Sequence, residues 1–180
     1  MAYPAAAPPP VEPWPVEPPP AGSLSRQGKE LLDDDRPGEA VDLLRRAVAA
    51  GEPGSPDLLA RAYLDDGDWP GCIEWLGPYV AQGHVAFAGR LGVAYAQLGD
   101  FDNAEDALRL AVTNGEVVAA NDLAILLRDS DRLPEALHVL RQAAEDGDEQ
   151  APANLVALLL EAGDLPAAVA SAERYAVICC

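Results

Sequence analysis

Three cysteines and two histidines are the side chains of this 180-residue chain best suited to nucleophilic or metal chemistry. Cys179 and Cys180 are vicinal and could chelate a soft metal or react with an oxidant. No other Cys or His lies near them in sequence to complete a four-ligand site. His84 directly follows a glycine, and His138 stands alone within an apolar-patterned run. The acidic run Asp33, Asp34 and Asp35 reads as a helix end or turn face, and no glycine-rich phosphate loop is present. These residues assign no catalytic group, no cofactor and no metal, and three cysteines so placed do not make a secreted disulfide framework.

The elements that would have to position any site are set by a repeat. Aligned on one small residue, the chain reads DDDRPGEA to Ala40, DDGDWPGC to Cys72, QLGDFDNA to Ala104, DSDRLPEA to Ala136 and EAGDLPAA to Ala168, 32 residues apart each time. Gly51, Gly83, Gly115 and Gly147 keep the same period, eleven residues after that small residue, where glycine can end a helix in the left-handed conformation. Cys72 fills the position that alanine holds elsewhere, which makes it a packing residue.

Each unit carries a helical hairpin pattern. Before the break, Leu59 with Tyr63, Leu91 with Tyr95, Leu123 with Leu127 and Leu155 with Leu159 are four apart and share a face. After it, Ala104, Leu108 and Ala111 make the matching stripe. Asp68, Asp100 and Asp164 stand where an N-cap carboxylate is needed, and Pro70, Pro134 and Pro166 fall in the first turn, where a missing amide is tolerated. A hairpin of two short helices cannot hide its apolar face alone, so a period of this length predicts a stack.

Composition narrows the partners. Thirty acidic against twelve basic residues leave −18, which repels nucleic acid and anionic lipid. No apolar run reaches the ~20 residues needed to span a bilayer, and the N-terminus lacks a basic start, so a cytoplasmic location is expected. Eleven Arg against the single Lys29, with abundant Ala, suggest a GC-rich bacterial gene. Nine of 17 prolines lie in the first 20 residues. Residues 1–22 therefore read as a disordered or polyproline II tail, or as a ligand for an aromatic-lined groove with Trp14 as anchor.

The units resemble tetratricopeptide repeats. Leu91, Gly92, Tyr95, Ala104 and Leu108 fit that pattern in full, and Leu59, Ala60, Tyr63, Cys72 and Leu76 fit it with substitutions. Leu127, Leu159 and Ala172 depart from it, and the period is 32 rather than about 34. Runs such as RQAAEDGDEQAPANLVALLLEAGD are also similar to Sel1-like repeats, and the combination resembles actinobacterial proteins of these two kinds. The resemblance implies an all-α, right-handed α-solenoid of about five hairpins over residues 23–180, with units near 23–51, 55–83, 86–115, 118–147 and 151–180.

The resemblance further implies that first helices line a concave groove that binds a protein or peptide partner. Its groove positions fall on Arg26, Lys29, Arg61, Asp65, Arg90, Asn121 and Arg128, with Ser25, Asp33, Asp57, Gly89, Val93, Gln97, Asp122, Ile125, Asp129, Asn154 and Glu161 beside them. The family's carboxylate-gripping set is not reproduced, because Ser25 and Lys29 stand where Lys and Asn are needed. Arg61, Arg90 and Asn121 remain candidates to meet a carboxylate, unless such charges pair with Asp65 and Asp129. The expected function is a non-enzymatic interaction module; the alternative is a self-associating solenoid or a segment of a larger regulator. Tyr175, Val177 and Ile178 suggest an uncovered final helix and a homodimer through it. Pro78 is expected to kink or stop its helix near Gly77.

Overall fold

The structure, a computed structural model, describes residues 23–176. The proline-rich tail, Val177, Ile178 and the Cys179–Cys180 pair lie outside them. The described residues form ten α-helices: α1 (Ser23–Asp33), α2 (Pro37–Ala49), α3 (Ser55–Asp66), α4 (Trp69–Ala81), α5 (Ala88–Gln97), α6 (Phe101–Thr113), α7 (Ala119–Asp129), α8 (Leu133–Glu145), α9 (Ala151–Glu161) and α10 (Leu165–Ala176). One 3₁₀ turn, Val85–Phe87, precedes α5. The helices pair as five hairpins in the register of the 32-residue period.

Two turns recur, and each has a local cause. Between hairpins, Gly51, Gly83, Gly115 and Gly147 take φ of 70, 95, 87 and 97°. The amide after each glycine then reaches back to a carbonyl five residues earlier: Glu52 to Ala47, His84 to Tyr79, Glu116 to Ala111 and Asp148 to Ala143, at 2.9 to 3.0 Å. These bonds satisfy carbonyls that the helix end would otherwise orphan.

Within hairpins the turn comes in two forms. In units two, three and five it is Gly-Asp, and the Asp caps the next helix: Asp68 accepts from the Gly71 amide at 3.0 Å, Asp100 from Asn103 at 3.4 Å and Asp164 from Ala167 at 3.1 Å. In units one and four it is Asp-Arg. Asp35 and Asp131 occupy the left-handed region themselves, at φ 59 and 58°. The Arg that follows makes no side-chain cap; it reaches forward to the first helical turn, Arg36 to Glu39 and Arg132 to Glu135, both at 2.8 Å.

First helices pack on first helices, α1 on α3, α3 on α5, α5 on α7 and α7 on α9. Second helices pack instead on the first helices flanking them, as α2 does on α1 and α3. The first helices therefore form the inner layer of an α-solenoid. The buried core divides at unit three: Leu44, Leu59, Tyr63, Cys72, Leu76 and Leu91 belong to one cluster, Leu108, Leu123, Leu127, Leu140 and Leu155 to the other. Cys72 is fully buried, as a packing residue at that position should be.

Of the kink or stop expected near Gly77, the stop does not occur: helix α4 continues through Pro78 to Ala81. Pro78 lies in the last turn, so it costs a single amide bond, and both Pro78 and Glu74, whose carbonyl is released, are exposed to water. Trp75 and Tyr79 flank it with ring centroids 4.9 Å apart, and each packs edge-on against Phe87, at 6.1 and 6.2 Å. That aromatic packing holds the final turn. At the other end, Tyr175 is buried against the preceding unit and is not part of an uncovered face.

Candidate partner-binding groove

The inner layer places equivalent residues of successive units in columns, so the 32-residue register describes the groove directly. The column that begins at Lys29 continues as Arg61, Val93, Ile125 and Ala157. The next begins at Asp33 and continues as Asp65, Gln97, Asp129 and Glu161. The first column therefore changes character along its length, charged on α1 and α3 and apolar on α5, α7 and α9, while the second stays polar throughout.

Over α1, α3 and the first turn of α5, every expected cation already holds a carboxylate. Arg26 lies 4.0 Å from Glu30 and Lys29 2.6 Å from Asp33. Arg61 lies 3.0 Å from Asp65 and 3.9 Å from Asp33, and Arg90 reaches Asp57 of the preceding unit at 3.1 Å. The hydrogen bond from Lys29 holds the Asp33 carboxyl below the usual carboxylate range. Arg61 and Arg90 are thus engaged, each by an acid on the same face, and do not stand free to grip a carboxylate.

Over α7 and α9, two of the expected residues converge. Asn121 and Arg128 line one recess of about 130 Å³ between α7 and α9, together with Ile125, Asn154, Leu158 and Glu161. Asn121 is buried and sits in a polar chain: it donates to Asp148 at 3.2 Å and accepts from Asn154 at 2.7 Å. Asp148 in turn accepts from the Gln150 and Ala151 amides at 2.7 and 2.6 Å, which caps α9. Arg128 lies 2.8 Å from Asp129 and 3.9 Å from Glu161, and the hydrogen bond to Asp129 raises its pKa. Arg26, Lys29, Arg61 and Asp65 do not join this recess; they remain on the first two units.

Sequence reasoning missed the residue after each interhelical glycine. Glu52, His84, Glu116 and Asp148 share that column. Glu52 is buried and folds back over the start of α1, accepting from the Ser25 amide and hydroxyl, both at 2.7 Å. Asp148 does the corresponding work on α7 and α9. His84 at the same place is exposed, its ring 5.7 Å from that of Tyr79. A period count carried one residue past the glycine would have grouped these four.

A second recess, of about 480 Å³, lies between α5 and α7 and is lined by Val93, Gln97, Phe101, Asp122, Ile125 and Asp129 among others. Phe101 and Ile125 are 55% and 48% exposed there, a large apolar exposure on a concave face. Asp122 beside them makes no ion pair among the described residues. Burial first, and the charge of Glu116 second, hold its carboxyl above the usual range.

Among the described residues no three His, Cys, Asp or Glu side chains converge as metal ligands, and no helix is long and apolar enough to cross a membrane. An inner layer of first helices lining one shared face defines a helical-repeat solenoid.

A family profile for the tetratricopeptide repeat matches residues 58–117 and 121–179, well over half of the chain. The chain belongs to the tetratricopeptide-repeat family. Its fold is similar to that of several solved structures. One is the putative kinesin light chain, with nearly identical TPR-like repeats, of Podosopora anserina (20% identity, 87% of this chain and 93% of that one, TM-score 0.65). A thermophilic TPR protein of Thermus thermophilus matches at 21% identity over 84% and 87%, TM-score 0.65. MamA of Desulfovibrio magneticus RS-1, from residue 41 to its end, matches at 15% identity over 84% and 90%, TM-score 0.66. A search of curated protein sequences finds no match.

Proposed function

We propose that this protein is a non-enzymatic cytoplasmic adaptor that holds a segment of a partner protein in its concave groove, chiefly over α5, α7 and α9. Tetratricopeptide repeats commonly serve as protein–protein interaction scaffolds. The observation that carries the reading here is Ile125, 48% exposed at the middle of the groove between two recesses. An isoleucine left open at the centre of a concave face, with the exposed Asn154 alongside, supplies an apolar anchor next to an amide group suited to a peptide backbone. The test is affinity capture with the full chain against Ile125→Arg, both checked by thermal melt. Proteins held by the first and lost by the second support the groove. Retention by both moves the site elsewhere, with the proline-rich tail and Trp14 as the next candidate.

A second reading, self-association through the last hairpin, is favoured by one feature of α9 and α10. Leu160, Leu165 and Val169 are 50%, 62% and 57% exposed. Leu165 and Val169 stand in the columns of Leu133 and Leu137, which are half-buried against the core one unit earlier. Sedimentation at tens of micromolar decides this reading: a strict monomer rejects it.

A further inference from the structure

We propose that the recess between α5 and α7 selects a basic and apolar segment. An aliphatic or aromatic side chain of the partner seats against Val93, Phe101 and Ile125, and a neighbouring Lys or Arg pairs with Asp122. The inference rests on the groove reading above and specifies the chemistry of its occupant.

Charge complementarity carries it. The cations at the groove positions of the first helices each lie within 4.0 Å of a carboxylate: Arg26, Lys29, Arg61, Arg90 and Arg128 are neutralised in place. Asp122 has no such partner among the described residues, and it borders the larger of the two groove recesses. Glu116, on the turn between α6 and α7, adds a second negative charge near it, and one oxygen of that carboxylate is buried with no hydrogen-bond partner. The local field in the middle of the groove is therefore negative, inside a chain that carries −18 overall. An arriving cation meets an attractive field and needs to displace no resident one; an acidic or phosphorylated segment meets repulsion. The apolar walls add the second requirement. Phe101 and Ile125 remain about half exposed until something apolar covers them.

Three fluorescein-labelled peptides of equal length test this against the full chain, with cores Lys-Leu-Arg-Leu-Lys, Glu-Leu-Gln-Leu-Glu and Lys-Ser-Arg-Ser-Lys. Binding is read by polarisation, and its place by amide shifts of the isotope-labelled protein. The first peptide is expected to bind, with shifts clustered over residues 93–101 and 122–130. Asp122→Asn and Ile125→Ser should each weaken it by roughly tenfold or more, as loss of a charged hydrogen bond or of an apolar anchor does, with thermal melts unchanged. If the acidic peptide binds as tightly at the same amides, the charge assignment is wrong and the groove reading stands. If no peptide binds at millimolar concentration, or all shifts fall outside the first helices, both are wrong.

Discussion

A Cβ at position 92 would stand 2.6 Å from Cγ of Leu108, so α5 and α6 meet almost backbone to side chain in unit three. The same column pair recurs as Gly28 with Leu44, Ala60 with Leu76 and Ala124 with Leu140, then reverses to Val156 with Ala172. The larger residue simply changes helix, which accounts for an alanine in unit five where the repeat pattern asks for a large side chain. Helix propensity alone would have Gly92→Ala stabilise α5 by about 1 kcal/mol. Overpacking costs about 1–3 kcal/mol, and because Cγ is not the free end of Leu108, the clash should win. Gly92→Ala is expected to lower the denaturant midpoint. Gly92→Val with Leu108→Ala, which copies the unit-five arrangement, should recover part of the stability lost by Gly92→Val alone.

Asp35 and Asp131 hold the left-handed conformation that glycine holds at 67, 99 and 163. Asp131→Gly should relieve a strain of about 1 kcal/mol, less some unfolded-state entropy, and raise the melting temperature slightly. Asp131→Val should lower it well below the parent, since a β-branched residue resists positive φ. Equal melts for the two variants would refute the strain argument.

Burial pushes the Cys72 thiol up to about 11 from its ordinary 9.0. The folded state favours the neutral thiol, so its contribution is complete below pH 9.0 and is lost as the pH rises towards 11. A rise of that size corresponds to about 2–3 kcal/mol. Cys72→Ala should flatten the alkaline limb of a stability–pH curve relative to the parent. At pH 8 the native thiol should resist a disulfide reagent and react only at the rate of unfolding.

Units three and four are tied on the outer layer by Glu105, Arg109, Arg132 and Glu135. Arg132 bonds both carboxylates, and Arg109 lies 2.8 Å from Glu105 and 3.3 Å from Glu135. The hydrogen bond from Arg132 lowers the pKa of Glu105 and of Glu135 below the ordinary 4.5. Their stabilisation is present above pH 4.5 and disappears as the pH falls through the lowered folded values. Arg132→Leu should reduce the acid-side loss of stability and the dependence on salt, both measured by urea titration.

The hairpin register is legible in the sequence because it rests on local rules. The positive-φ glycines and the Asp caps act within a few residues of themselves, and the structure shows them at every position read from the sequence. The helix stop expected at Pro78 does not occur, because the cost of the proline depends on where in the helix it falls and on Trp75, Tyr79 and Phe87 beside it. The inner-layer helices are legible in the sequence, and the ion pairs made along them are not. Arg90 with Asp57, and Asn154 with Asn121, are 33 residues apart, one period plus one, a spacing that means nothing until the curvature of the inner layer is known. For the same reason Arg90→Glu, which ignores Asp57, is a poor probe of binding: it would set two acids together and lower the melt, whereas Ile125 and Asp122 can be changed without breaking a pair.

Among the described residues, the main packing joins helices one or two places apart along the chain. Each hairpin therefore meets its core partners among segments already synthesised or about to be, and no early helix waits for a late one. Closing such short loops costs little entropy, so assembly can keep pace with translation, from the amino end onward. While the chain is still on the ribosome, the part of the first cluster built around Leu44, Tyr63 and Leu76 can assemble before Ala88, the first buried residue of the second, has emerged.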